Sequence, residues 1–278
     1  MAVGRWPWAS VLAVVIAAAA RGDEGLEARV AEVLDAPGYR EAHWGVLVVD
    51  GRDGRTVYER DADRLYQPAS VTKLFSTAAA LAELGVEWRF RTPVRRRGEV
   101  EPDGTLRGDL ILVAQGDPSL GGRTGPDGTL LFEDHDHSYA DGNDDSTLVP
   151  ADPLAGLDHL ARGVHDGGIR AVSGDVLVDD RLFEPAPSTG SGPARVAPIV
   201  VNDNVVDVVV TPGAEPGAPA AVRTVPPSAF YAVDAQVRTA AEGTRAVVAV
   251  RPEGSRRFSV RGQVPVGHHP VVRIYEVE

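Results

Sequence analysis

The texture of this chain changes near Arg89, from two helices and a hairpin to mostly short strands and turns, and the change limits the folds open to it. Before it, Leu26, Val30, Val33 and Leu34 recur at helical spacing, and Val71, Leu74, Phe75, Ala78 and Leu81 form a second helical stripe. Between them, the apolar run His43 to Asp50 and the alternating run Thr56 to Arg60 flank Gly51-Arg52-Asp53-Gly54, the pattern of a β-hairpin. The second helix is expected to begin near Ala69 or Ser70, to bury its stripe, and to end at Gly85. After Arg89, short apolar runs alternate with turn residues. Val94 to Val100 and Thr105 to Ala114 predict a hairpin around Glu101-Pro102-Asp103-Gly104, with Leu110, Ile111, Leu112 and Val113 buried on both faces. Gly116 to Ser146 reads as a long polar loop, Leu154 to Val164 as a helix closed by Gly167-Gly168, and Ile169 to Val178 as a strand. Glu184 to Pro198, dense in Pro, Gly and Ser, reads as a linker. Further strands are expected over Asn204–Thr211, Ser228–Arg238, Ala246–Val250, Phe258–Val264 and Val271–Val277. The class is α+β, with a β-rich second part.

Composition removes several functions. A formal charge of −12 argues against nucleic acid and anionic membrane surfaces as partners, since both select basic patches. Arg95-Arg96-Arg97 is the one basic block and reads as a solvated strand edge. With no cysteine there is no disulfide framework, thiolate nucleophile or cysteine metal site. At the N-terminus, Arg5 precedes an apolar run from Val11 to Ala20 that ends in small residues, the pattern of a cleaved secretory signal over residues 1–20. The run is short for a bilayer span, so the remainder is expected outside the cytoplasm, periplasmic or secreted, with no membrane span.

A single lysine stands in the chain, Lys73, three residues after Ser70 at the head of the second helix. Residues three apart on a helix are neighbours, so an amine at Lys73 is placed to take the Ser70 hydroxyl proton and leave a nucleophile. The helix N-terminus favours negative charge on Ser70, and the same field with partial burial lowers the pKa of Lys73 toward that of a useful base. No arginine substitutes in that role, because a guanidinium stays protonated. The alternative is a capping serine with a solvated lysine beside it. Elsewhere, Glu133, Asp134, His135, Asp136 and His137, with Asp141, Asp144 and Asp145, offer nitrogen and oxygen donors of the kind that hold zinc or calcium. Their place in a polar loop favours solvated side chains, so no metal and no organic cofactor is expected. Asn202-Asp203-Asn204 reads as a turn entering a strand.

The stretch Gln67-Pro68-Ala69-Ser70-Val71-Thr72-Lys73-Leu74-Phe75-Ser76-Thr77 resembles the first active-site motif of the serine penicillin-binding proteins. More narrowly, Leu110 to Gly122 with Gly116-Asp117-Pro118-Ser119-Leu120, and Pro198 to Ala220 with Val201-Asn202-Asp203-Asn204 and Thr211-Pro212-Gly213, resemble the class C low-molecular-mass members. These are the D-alanyl-D-alanine carboxypeptidase/endopeptidase family, and the similarity runs from about Glu24 to the last residue. The resemblance implies a partial penicillin-binding/β-lactamase-like transpeptidase domain interrupted by a β-rich insertion of two smaller domains. Residues 21–92 would open the catalytic domain, 93–118 and 200–270 would form the inserted domain, 119–199 a nested third domain, and 271–278 the return. It also implies Ser70 as nucleophile and Lys73 as general base of a serine D-Ala-D-Ala carboxypeptidase. Its partners would be peptidoglycan stem peptides, with β-lactam antibiotics as covalent inhibitors.

This sequence departs from the family pattern in one respect fixed by composition. With one lysine, a Lys-Thr-Gly motif cannot be written in these 278 residues, and no Ser-x-Asn motif stands in its expected place. The chain therefore resembles the first part of a longer enzyme, C-terminally truncated, and as it stands is expected to be weakly active or inactive. Two other readings are a non-catalytic cell-envelope binding module and a β-lactamase or esterase using the same pair.

Overall fold

The computed structural model describes residues 25–39, 41–188 and 195–277; the predicted signal lies outside them. The chain divides into two compact units, one ending at Trp88 and the other starting at Arg89. Among the described residues, no helix is long and apolar enough to cross a membrane.

In the first unit, helix α1 (Leu26–Leu34) is followed by the antiparallel hairpin β1 (Val46–Val49) and β2 (Thr56–Arg60) and by helix α2 (Thr72–Leu84). Leu26, Val30 and Leu34 lie on one face of α1 and pack against Trp44, Val46, Val57 and Tyr58. The hairpin turn closes as its residues require: Gly54 takes a φ of 74° and donates its N–H to the Asp50 carbonyl. Helix α2 ends at Gly85, whose φ is 80°. Its apolar stripe, expected to be buried, is exposed: Leu74 is 71% and Phe75 72% exposed, and Val71, Ala78 and Leu81 are exposed too. Periodicity specified the stripe correctly, but the small core around α1 includes no residue of α2.

Among the described residues, the second unit holds three larger sheets and one two-stranded sheet. Strands β3 (Val94–Val100) and β4 (Thr105–Val113) form the expected hairpin. The segment read as one strand over 169–178 is two, β5 (Ala171–Val172) and β6 (Val176–Asp179), both parallel to β4. They break at Gly174, whose backbone lies against the Gly108 carbonyl so closely that a Cβ would stand 2.6 Å from that oxygen. Leu110 to Val113 are half-buried rather than buried on both faces, because helix α3 (Ala155–Asp166) borders the sheet across an open cleft. Within the stretch read as a linker, β7 (Ala186–Pro187) pairs with β8 (Arg195–Val196).

The core lies between two further sheets. One has the order β10-β9-β14, all antiparallel, from β9 (Val205–Thr211), β10 (Ala221–Val225) and β14 (Val271–Glu276). The other has the order β11-β13-β12, from β11 (Ala232–Ala240), β12 (Val247–Pro252) and β13 (Arg257–Pro265). Val206, Val208 and Val210 of β9 meet Val237, Val248, Phe258 and Val260, and the Phe258 and Tyr275 rings stack at 4.5 Å. Strand β10 was not legible in the sequence, since Ala221-Val222-Arg223-Thr224-Val225 lacks a clean alternation. Strand β14 hydrogen-bonds to β9 along its length, so it belongs to the same sheet as β9 and β10.

Candidate functional site

Pro68 enters a 3-10 turn, Ala69–Val71, that runs directly into α2. The Val71 N–H bonds the Pro68 carbonyl at 3.0 Å, and the Thr72 hydroxyl donates to the Ala69 carbonyl at 2.8 Å. Ala69 holds a left-handed φ of 44°, a strained setting for a residue with a Cβ, immediately before the serine. Lys73, in the first turn of α2, reaches back to Ser70, and its Nζ donates to Ser70 Oγ at 3.1 Å. The partial burial expected around this pair is absent, both side chains being exposed. A serine hydroxyl and an amine at this distance are within reach of direct proton transfer.

A second arrangement of ionisable groups lies in the other unit and overturns the expectation of a solvated loop. Asp136, His137 and Ser146 are buried, and the 3-10 turn His137–Tyr139 is capped by Asp136, whose Oδ1 accepts from Ser138 N at 3.0 Å. His137 Nδ1 bonds Asp207 Oδ1 at 2.8 Å, and its Nε2 bonds Asp203 Oδ2 at 2.9 Å. Arg123 donates to Asp136 Oδ2 at 2.9 Å and to Asp203 Oδ2 at 2.8 Å. Asn202 Nδ2 donates to the second oxygen of Asp207 at 2.9 Å.

The other members of the sequence cluster scatter. Asp144 pairs with Arg273, Asp145 with His269, and Asp134 and His135 are exposed. Donor atoms of Asp136, His137 and Asp203 fall within 4.8 Å of one another. The Arg123 guanidinium already supplies the cation that these carboxylates share, so the geometry is that of a guanidinium-centred network.

The Asn202-Asp203-Asn204 turn presents Asp203 to this network through three successive left-handed residues, with φ of 51°, 51° and 55°. Such a run of non-glycine residues is strained and persists only when over-determined. Here the hydrogen bonds do so: Asn204 Oδ1 accepts from Val201 N at 3.2 Å, and Asn204 Nδ2 donates to the Ile199 carbonyl at 3.2 Å. Sequence reading passed over Arg123 and Asp207. The available signal was Asp207 itself, one acid inside the valine run Val205 to Val210, which a buried strand tolerates only if the acid is paired.

Burial by itself pushes the His137 imidazole down, but the hydrogen bonds from Asp203 and Asp207 and their charges outweigh it and lift it to about 9. Because the folded value lies above the unfolded one, the stabilisation is fully present below the ordinary imidazole range near 6.5 and is lost as pH rises through about 9. Urea unfolding of the second unit is therefore expected to weaken between pH 7 and 10, with on the order of 2–3 kcal/mol at stake. His137→Asn is expected to flatten that slope; an unchanged slope in the variant would show that another group carries it. Asp136 is held below the usual carboxylate range: burial opposes this, and the Ser138 and Arg123 hydrogen bonds prevail.

Comparison with known proteins joins the two arrangements in one lineage. The chain is 31% identical to the D-alanyl-D-alanine carboxypeptidase of Actinomadura sp. (strain R39), over 88% of this chain and 42% of that protein. Its fold is similar to that of penicillin binding protein 4 (dacB) from Haemophilus influenzae. The TM-score is 0.57 at 20% identity, covering 84% of this chain and 47% of that one. The same Haemophilus protein in complex with a β-lactam gives a TM-score of 0.52 at 19% identity, covering 84% and 45%. The chain thus spans less than half the length of these relatives. The profile of the D-Ala-D-Ala carboxypeptidase 3 (S13) family matches residues 26–278, the exposed Ser70–Lys73 pair and the buried His137 network included, and the chain belongs to that family.

Proposed function

We propose that this chain carries the nucleophile and base of a serine-type D-Ala-D-Ala carboxypeptidase/endopeptidase acting on peptidoglycan stem peptides outside the cytoplasm. The observation that carries this reading is the 3.1 Å contact between Lys73 Nζ and Ser70 Oγ in a member of the S13 family. Lys73 in its neutral form takes the hydroxyl proton as Ser70 Oγ attacks the carbonyl carbon of the penultimate D-Ala. The oxyanion receives one hydrogen bond from the Ser70 backbone N–H, and the proton passes to the departing amine. Water then hydrolyses the acyl-enzyme. A β-lactam acylates the same oxygen by ring opening, in keeping with the β-lactam complex of the Haemophilus relative.

These 278 residues contain no Lys-Thr-Gly motif. Loss of a single oxyanion donor costs about 10²–10³ in rate, so acylation by these residues alone is expected to be slow. Intact mass after incubation with a penicillin tests the reading: a slowly formed single adduct, absent in Ser70→Ala and strongly reduced in Lys73→Ala, is the expected result. An adduct that survives Ser70→Ala would refute the assignment. So would the lack of any adduct in a chimaera that adds the part of the Actinomadura carboxypeptidase left uncovered by the match. Stoichiometric labelling of this chain within seconds would overturn the claim of slow acylation.

A further inference from the structure

Among the described residues, one side chain hydrogen-bonds the peptide group between Ala69 and Ser70: the Thr72 hydroxyl donates to the Ala69 carbonyl at 2.8 Å. The Thr72 backbone N–H turns toward the same oxygen but shares itself with the Ser70 carbonyl, so the hydroxyl is the donor committed to it. The peptide is planar and trans, and its carbonyl and its N–H therefore point in opposite directions. Fixing the Ala69 oxygen fixes the direction of the Ser70 N–H. That N–H makes no hydrogen bond among the described residues, although the Val71 N–H beside it closes on the Pro68 carbonyl at 3.0 Å. A hydrogen bond on the carbonyl side also polarises the peptide and strengthens its N–H as a donor.

The backbone opposes this orientation. At a φ of 44° the Ala69 Cβ crowds the following carbonyl oxygen, and an alanine left to itself returns to the right-handed or extended regions, turning the Ala69–Ser70 peptide with it. Strain of this kind persists only where the surroundings over-determine it. Ala69, Ser70 and Thr72 are all exposed, so packing does little to hold the turn and its own hydrogen bonds carry the task. Of these, the Thr72 hydroxyl acts on the strained residue directly.

We propose that Thr72 is a positioning residue for Ser70: its hydroxyl holds the Ala69–Ser70 peptide in the strained orientation that aims the Ser70 N–H at the oxyanion formed when Ser70 Oγ attacks. This rests on the acyl transfer assigned to Ser70 above. Acylation of the chain by benzylpenicillin, followed by intact mass, is expected to slow by about tenfold to a hundredfold in Thr72→Val, which keeps the shape and removes the hydroxyl. Thr72→Ser keeps the hydroxyl and is expected to acylate close to the parent rate. Ala69→Gly added to Thr72→Val is expected to recover part of the loss, because glycine takes a left-handed φ without a Cβ penalty. Ser76→Ala removes a hydroxyl bond to the Thr72 carbonyl one turn further on and is expected to leave the rate unchanged. A second readout needs no reaction. Ala-Ser steps occur only at Ala9-Ser10 and Ala69-Ser70, so carbonyl-labelled alanine combined with amide-labelled serine reports these two peptides alone by NMR. The signal lost in Ser70→Ala identifies the second. It is expected to move in Thr72→Val and to stay near its parent position in Thr72→Ser. Parent-like acylation by Thr72→Val overturns the proposal, as does a Thr72→Ser variant as slow as Thr72→Val or a labelled signal that Thr72→Val leaves in place. If neither this chain nor the chimaera forms an adduct at Ser70, the assigned reaction fails, and the labelled peptide alone then decides whether Thr72 holds it.

Discussion

Asp207→Ala is expected to destabilise the second unit by about 3–5 kcal/mol, the cost of removing one partner from a buried ion pair. Asp207 is 1% exposed, and both of its oxygens are used, one by His137 Nδ1 and the other by Asn202 Nδ2. Without it the imidazolium of His137 loses its charge partner on the sheet side, and Asn202 loses one of the bonds that hold a strained left-handed turn. The same turn presents Asp203 to Arg123, so the damage spreads from β9 to the loop above it. Asp207→Asn keeps the acceptor but not the charge and is expected to cost less. Urea denaturation of the single variants and of Asp207→Ala/His137→Ala gives the coupling: the double variant is expected to cost well under the sum of the two. Simple additivity would mean that the His137–Asp207 contact does not contribute as a pair.

Gly122→Ala is expected to cost about 2–5 kcal/mol, from left-handed strain and steric conflict together. Gly122 has a φ of 80°, and a Cβ there would stand 1.9 Å from the Asp152 carbonyl oxygen and 3.2 Å from Ala155 Cβ. Both neighbours belong to the entry into α3, where the Leu154 N–H bonds the Asp152 carboxylate at 2.9 Å, so neither retreats without moving the helix. On the facing side, Gly156 approaches Leu120 so closely that a Cβ would be 2.0 Å from the Leu120 carbonyl oxygen. Gly122 and Gly156 thus form a joint where the backbones of the Leu120–Gly122 and Asp152–Gly156 segments meet at contact distance. Gly128→Ala serves as control: its φ is 81° but nothing lies within 4 Å of the added carbon. Its thermal unfolding midpoint should fall by the strain alone, and equal losses in the two variants would refute the steric account.

Local features of this protein were legible because they depend on few residues. The hairpin turns at Gly54 and Gly104, the end of α2 at Gly85 and the amphipathic face of α1 follow from backbone preference and side-chain spacing. Strand β10 and the break between β5 and β6 did not follow, since pairing across a sheet decides both. The exposed stripe of α2 marks the same limit: spacing determines which side chains share a face, but only neighbouring elements determine whether that face is covered.

The two clusters of ionisable groups divide along that line. The sequence by itself placed Lys73 beside Ser70, because three residues of helix fix that distance whatever else the chain does. Only the tertiary structure decided what His137 does. Its partners Asp203 and Asp207 lie 66 and 70 residues further along the chain, and Arg123 is separated from Asp203 by 80. Periodicity carries no information over such separations. Burial and the approach of unlike charges, which turn a histidine in an acidic loop into a charged member of a buried network, arise when the loop and β9 meet.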